Sequence, residues 1–168
     1  MAIVLGLNAC LYVKSVTGSP TTMPPLPTTT DLVKNCKDLT MTLEKNETDI
    51  TVRGSNGWRT TVPVLKDGTI EFKMNWDTVD VTFGLIRDSF LNNTLLNVLA
   101  LDGPVTGAIG SQGLQGLMMV STFTRNEPLE EALSVDVKLR PSHPTLPPVW
   151  ITTTTLAAAA GEPGKAAA

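Results

Sequence analysis

Glu127, Glu130 and Glu131 place three carboxylates in one short stretch, and glycoside hydrolysis needs two such groups, one as acid and one as base or nucleophile. The neighbours argue otherwise: Arg125, Asn126 and Pro128 mark a sheet corner, where a charged cluster is ordinarily solvated. Cys10, Cys36 and His143 are metal-ligand types, yet they supply three ligands where a structural zinc site takes four. Gly164-Lys165 lacks the upstream glycine spacing and the following Ser or Thr of a phosphate-binding loop. No nucleophile, base and metal come together, so the chain reads as a non-enzyme that needs neither cofactor nor metal. Trp58 beside Arg59 offers a different chemistry, because Trp and Arg are the residue types that anchor protein–protein contacts.

The elements that position these residues are mostly strands. In residues 69–76, Ile70, Phe72, Met74 and Trp76 alternate with Thr69, Glu71, Lys73 and Asn75. Residues 133–140 set Leu133, Val135, Val137 and Leu139 against Ser134, Asp136, Lys138 and Arg140. Residues 39–44 set Leu39, Met41 and Leu43 against Thr40, Thr42 and Glu44. Such half-polar strands predict an antiparallel sheet with one face on a core and one on water. Residues 9–16 fit a first strand, 95–101 a strand covered on both faces, and 117–124 a strand that bends at 125–128 before the last one. Pro63 interrupts 59–65 and favours an edge or bulge there, and Asp67-Gly68 is a hairpin signal. One helix is expected, with Asp77 as N-cap, Asp80 at N3, and Val79, Phe83, Ile86 and Phe90 on one face. Asn92-Asn93 ends it.

Between these elements lie three irregular segments. Residues 21–30 hold three prolines and five threonines and form an arm with no core of its own, which a neighbouring surface must order. Residues 45–58 read as a long polar loop closed by Trp58, and long loops in compact domains are usually functional or mobile. Residues 102–116 read as a Gly-rich loop. The prolines after 141 and the Ala-rich end suggest a flexible extension over 143–168, leaving 1–142 as one β domain that includes the arm at 18–34.

Composition supports one soluble domain. Of 168 residues, 42% are hydrophobic and 17% charged, which a packed core requires and a disordered chain lacks. A net charge of −3 without Lys/Arg clusters argues against a nucleic-acid-binding surface. Two cysteines are too few for a disulfide scaffold and read as part-buried thiols. Leu7-Asn8-Ala9-Cys10 has only a superficial likeness to a lipoprotein cleavage site, as no basic or long apolar stretch precedes it. No apolar run reaches membrane-spanning length.

The order of elements resembles the tail tube, or major tail, proteins of long-tailed, siphovirus-type bacteriophages. The likeness is carried by 53–59 (Arg53-Gly54-Ser55-Asn56-Gly57-Trp58-Arg59), by 65–72 with Trp76-Asp77-Thr78, and by 122–132 (Thr122-Phe123-Thr124-Arg125-Asn126-Glu127-Pro128-Leu129-Glu130-Glu131-Ala132), within residues 35–142. The resemblance implies a mainly β, antiparallel sandwich or barrel-like fold with one flanking helix. It further implies hexameric rings that stack into a hollow tube for DNA passage, assembled in the host cytoplasm and located in the virion. The partners it implies are further copies, a tape-measure protein, a tail terminator and baseplate or distal tail proteins; DNA passes without specific binding, and no membrane is involved. The expected subunit and ring-stacking contacts are Asp49, Arg53, Asn56, Trp58, Arg59, Arg125, Glu127 and Glu130. An inner tube of a contractile tail or secretion apparatus shares this fold neighbourhood. A monomeric binding module that uses 102–116 to hold a ligand is the alternative from another class.

Overall fold

The computed structural model describes residues 6–54, 57–106, 110–130 and 132–153. Seven strands form one antiparallel sheet: β1 (Cys10–Ser15), β2 (Cys36–Asp49), β3 (Thr61–Asn75), β4 (Leu96–Leu101), β5 (Gln112–Asn126), β6 (Ser134–Pro141) and β7 (Val149–Thr152). The sheet runs β1-β4-β5-β6-β3-β2, and β7 pairs with β5 on the side where β6 leaves off. Helix α1 (Val81–Asn92) lies between β3 and β4 in sequence. The mainly β, antiparallel fold with one helix is the one expected.

The strict alternation in β3 and β6 sets the core. Ile70, Phe72 and Met74 face Leu139, Val137 and Val135 across the ladder, and all six are buried. Leu11 and Val13 of β1 join the same cluster, with Phe83 and Ile86 of the helix. Strands from distant positions in the sheet thus share one core, which requires the sheet to curl round the helix in a barrel-like way.

β4 is buried along its whole length because both faces are covered. Its inner face packs into the core. On the outer face, Tyr12, Leu99 and Leu101 form a second cluster, against which Leu26, Leu32, Val105 and Ile151 pack. Cys10 belongs to this outer cluster and Cys36 to the edge of the main core, and both are free thiols. Burial, with Asp38 and Cys10 nearby, pushes the Cys36 thiol up to about 11.

The Pro/Thr-rich arm is ordered by the chain's own sheet. Asn97 and Gln115, 1% and 4% exposed, stand on the outer face of β4 and β5. The Asn97 side-chain amide donates to the Pro25 carbonyl (2.9 Å); that of Gln115 donates to the Pro24 carbonyl (3.0 Å) and to Asn97 Oδ1 (3.1 Å). Prolines lack N–H groups but keep their carbonyls, so a pair of buried amides satisfies the arm and itself at once. Thr28–Asp31 then forms one 3-10 turn, and Leu32 bridges to Tyr12.

Four expectations are corrected. Asp67-Gly68 is no hairpin turn: β3 runs straight through it, paired with Glu44 and Leu43 of β2. Residues 45–49 are strand rather than loop, so β2 and β3 form one long hairpin whose register shifts opposite Pro63, as a proline in a ladder demands. Of the stretch read as a Gly-rich loop, 112–116 belong to β5. A Cβ on Gly113 would lie 1.8 Å from the Ala100 carbonyl oxygen, so the glycine serves a close strand approach. The helix starts later than expected: Asp80 is the N-cap and accepts from the Thr82 N–H (2.9 Å), while Asp77 takes the Val79 N–H in the preceding turn and leaves Val79 exposed. Asn93, in the left-handed region at φ 53°, closes the helix. Within the extension, 149–152 form β7 and are ordered, whereas the Ala-rich end lies outside the described residues.

Candidate functional site

Beyond the core, β2 and β3 leave the sheet as a two-stranded ribbon. β6 pairs with β3 only from Ile70 to Asn75, so residues 61–69 are held by β2 alone. Ile50, Trp58, Val62, Val64, Leu65 and Leu43 are exposed along it, Trp58 to 79%. An isolated two-stranded ribbon is marginally stable in water, and apolar side chains on it gain nothing from the solvent.

Asp49 braces the base of the tip. Its carboxylate accepts from the Thr51 N–H (2.8 Å) and from Arg59 Nε (3.0 Å), while Thr51 Oγ1 accepts from the Thr60 N–H (2.9 Å). The Thr51 hydroxyl and amide, with Arg59, hold the Asp49 carboxyl below its ordinary value. Arg53 lies in the exposed turn at the tip, and Asn56 lies outside the described residues.

The other expected contact residues sit at the far end of β3. Arg125 pairs with Glu127 and lies over the Trp76 ring, 5.0 Å from its centroid. Trp76 in turn packs edge-on to Phe83, ring centres 5.0 Å apart, and Phe83 leads to Phe123 and Phe90. Glu130 is exposed on the turn between β5 and β6, Leu129 beside it is fully exposed, and Glu131 lies outside the described residues. A strand of 15 residues spans about 45 Å, so the two groups of contact residues occupy opposite ends of the molecule and form no common site within one chain.

The residues weighed for catalysis stay apart. His143 shapes its own turn, Nδ1 accepting from the Leu146 N–H (3.2 Å), and its other ring nitrogen lies 3.4 Å from Ser19 Oγ. Among the described residues no group of three or more His, Cys, Asp or Glu side chains is placed to hold a metal, and no helix is long and apolar enough to cross a membrane. The outward face of β2, β3, β6 and β5 carries open, polar depressions lined by Thr40, Glu71, Lys73, Asp136 and Lys138, with Glu71 ion-paired to Lys138. Sequence reasoning missed the buried Asn97–Gln115 pair. Two amides in otherwise apolar strands, diagonal to each other across the β4–β5 ladder, are the signal that marks it.

The curled antiparallel sheet, single helix and projecting β2–β3 hairpin form a fold shared with solved tail structures. Among solved structures, the chain is similar to the SPP1 tail tube (TM-score 0.65, 10% identity, covering 90% of this chain and 81% of that one). It is also similar to the sixfold-symmetric tail of an empty gene transfer agent particle (TM-score 0.62, 12% identity, covering 89% and 98%) and to a protein in the sixfold-symmetrised baseplate of the anti-feeding prophage (TM-score 0.58, 10% identity, covering 89% and 97%). No family model and no curated protein matches the chain.

Proposed function

We propose that the chain is the structural subunit of a phage-type tail tube, in which copies close into hexameric rings and the rings stack into a conduit for DNA. The observation that carries this reading is the β2–β3 ribbon, which leaves its own sheet with apolar side chains uncovered. Contact residues at opposite ends of one strand suit a head-to-tail contact, which generates an open stack rather than a closed pair. The likeness to tail and tail-tube structures supports the same role. In this reading Asp49, Arg53, Asn56, Trp58, Arg59, Arg125, Glu127 and Glu130 serve subunit contacts. Asp49 and Arg59 do so by stiffening the tip. Tape-measure, terminator and baseplate proteins are the partners at the ends, and the virion is the location. Six chains of −3 carry about −18, which disfavours adhesion of DNA to the wall. The subunit has no catalytic task.

The likeness to the anti-feeding prophage baseplate favours a second reading, the inner tube of a contractile apparatus. A sheath round native tails separates the two. The monomeric binding module loses much of its ground, because a third of the loop it relied on is strand.

Negative-stain electron microscopy over a concentration series tests the proposal. Hollow tubes with sixfold end views are expected, and uniform small particles at every concentration would overturn it. An Arg53→Ala/Arg59→Ala variant should give tubes that fall apart at lower salt.

A further inference from the structure

The ribbon carries two like-charge pairs, one on each face. On the polar face Glu44 stands opposite Asp67; on the face that continues outward from the core, Lys45 stands opposite Lys66. Like charges directly across a ladder are destabilising. The acidic pair is offset, since Arg140 and Lys138 line the same shallow depression. The lysine pair is not. Among the described residues no carboxylate lies within ion-pair distance of either lysine, Glu47 two positions along included. Leu43 lies next to the lysines on that face and is exposed; beyond them the register shift at 64–65 brings the Glu47–Pro63 pair to it. The result is a strip with one open leucine and two unpaired cations, on a ribbon that lacks a third strand.

The turn between β5 and β6 presents the complementary chemistry. Leu129 is wholly exposed, Glu130 beside it has no cationic partner among the described residues, and Glu127 shares its charge with Arg125 alone. Asp49 and Asp88, by contrast, are taken by Arg59 and Arg87. The turn and the strip lie at opposite ends of β3, so one copy cannot bring them together.

We propose that the Lys45–Lys66 strip seats the β5–β6 turn of a second copy, Leu129 packing on Leu43 while Glu127 and Glu130 meet the two ammonium groups. This rests on the reading of the chain as a self-assembling subunit and names the contact through which one copy holds the next.

Charge reversal tests it. Lys45→Glu/Lys66→Glu and Glu127→Lys/Glu130→Lys should each stay folded by circular dichroism. Each alone should raise the concentration needed for assembly by about tenfold or more, in line with the loss of a charge-complementary contact. Mixed in equal amounts, the two variants should assemble again, because each end then meets its opposite in alternation. Both variants assembling like the unaltered chain, or a folded mixture assembling no better than its parts, would overturn the docking. Failure of the unaltered chain to assemble at any concentration would instead overturn the tube-subunit reading itself.

Discussion

The Pro/Thr-rich arm and the tip of the β2–β3 hairpin look alike in the sequence, as polar stretches with turn formers and no core, yet the molecule treats them in opposite ways. The arm lies flat on β4 and β5, its carbonyls taken by Asn97 and Gln115 and its Leu26 packed on the outer cluster. The hairpin tip is braced by its own Asp49, Thr51 and Arg59 and leaves Trp58 in solvent. One region is stabilised by this chain and should contribute to its folding free energy. The other is uncovered and should contribute to association.

The largest contrast should come from removing the tip. Exchanging residues 46–65 for an Asn-Gly turn joins Lys45 to Lys66 by a two-residue hairpin loop. The shortened chain should remain folded, with a melting temperature within about 4 °C of the original, and build no tubes; tubes of normal length in the microscope would remove the tip from assembly. Gln115→Ala comes next and acts on the arm. It strands the Pro24 carbonyl and Asn97 Oδ1, at a cost of about 2 kcal/mol, which denaturant unfolding would register together with faster proteolysis of residues 21–30. Trp58→Ala should leave monomer stability within about 0.5 kcal/mol and raise the concentration for assembly by about tenfold; sedimentation over a dilution series measures it.

The smallest effect separates the regions by pH. The Asp49 carboxyl is held below its ordinary value, so the brace it forms is complete above about pH 4 and fades as pH falls through the lowered value. Protection of the Thr51 amide, taken relative to its intrinsic exchange rate at each pH, should therefore fall in acid, while that of the arm, held by uncharged amides, should not respond. Equal responses would mean that the brace does not control the tip.

How far these regions were legible follows from the physics of each signal. The period-2 runs in β2, β3 and β6 place side chains on faces, and those faces are the ones observed. β4, apolar at every position but Asn97, reads correctly as doubly covered. Asp67-Gly68 misleads because a turn signal is local, while the long partner strand is not. A Cβ on Gly68 would come within 3.1 Å of the Leu43 side chain, so the glycine makes room across the ladder rather than turning the chain. Gly113 misleads in the same way. Asp77 and Asp80 both have the chemistry of an N-cap, and packing decides between them: Asn35 donates to Asp80 (2.9 Å) and ties the helix start to the entry of β2. The proposed contact residues at the tip and at the β5–β6 turn are chosen by type, while their separation along β3 depends on a pairing that no single segment encodes.

The long-range pairings of β1 and β7 also govern when the sheet can be completed. β1 waits for β4, as Cys10 pairs with Leu101, and the start of β5 waits for β7, as Gln112 pairs with Thr152. Pairings over such distances close slowly, since a long loop must be ordered before its contacts form. On a translating ribosome β1 would stand unpaired until residues 96–101 emerge, whereas β2 and β3 can pair as soon as both are out. The exposed hairpin can thus form before the sheet that carries it is closed, which leaves its apolar side chains open to encounters during synthesis.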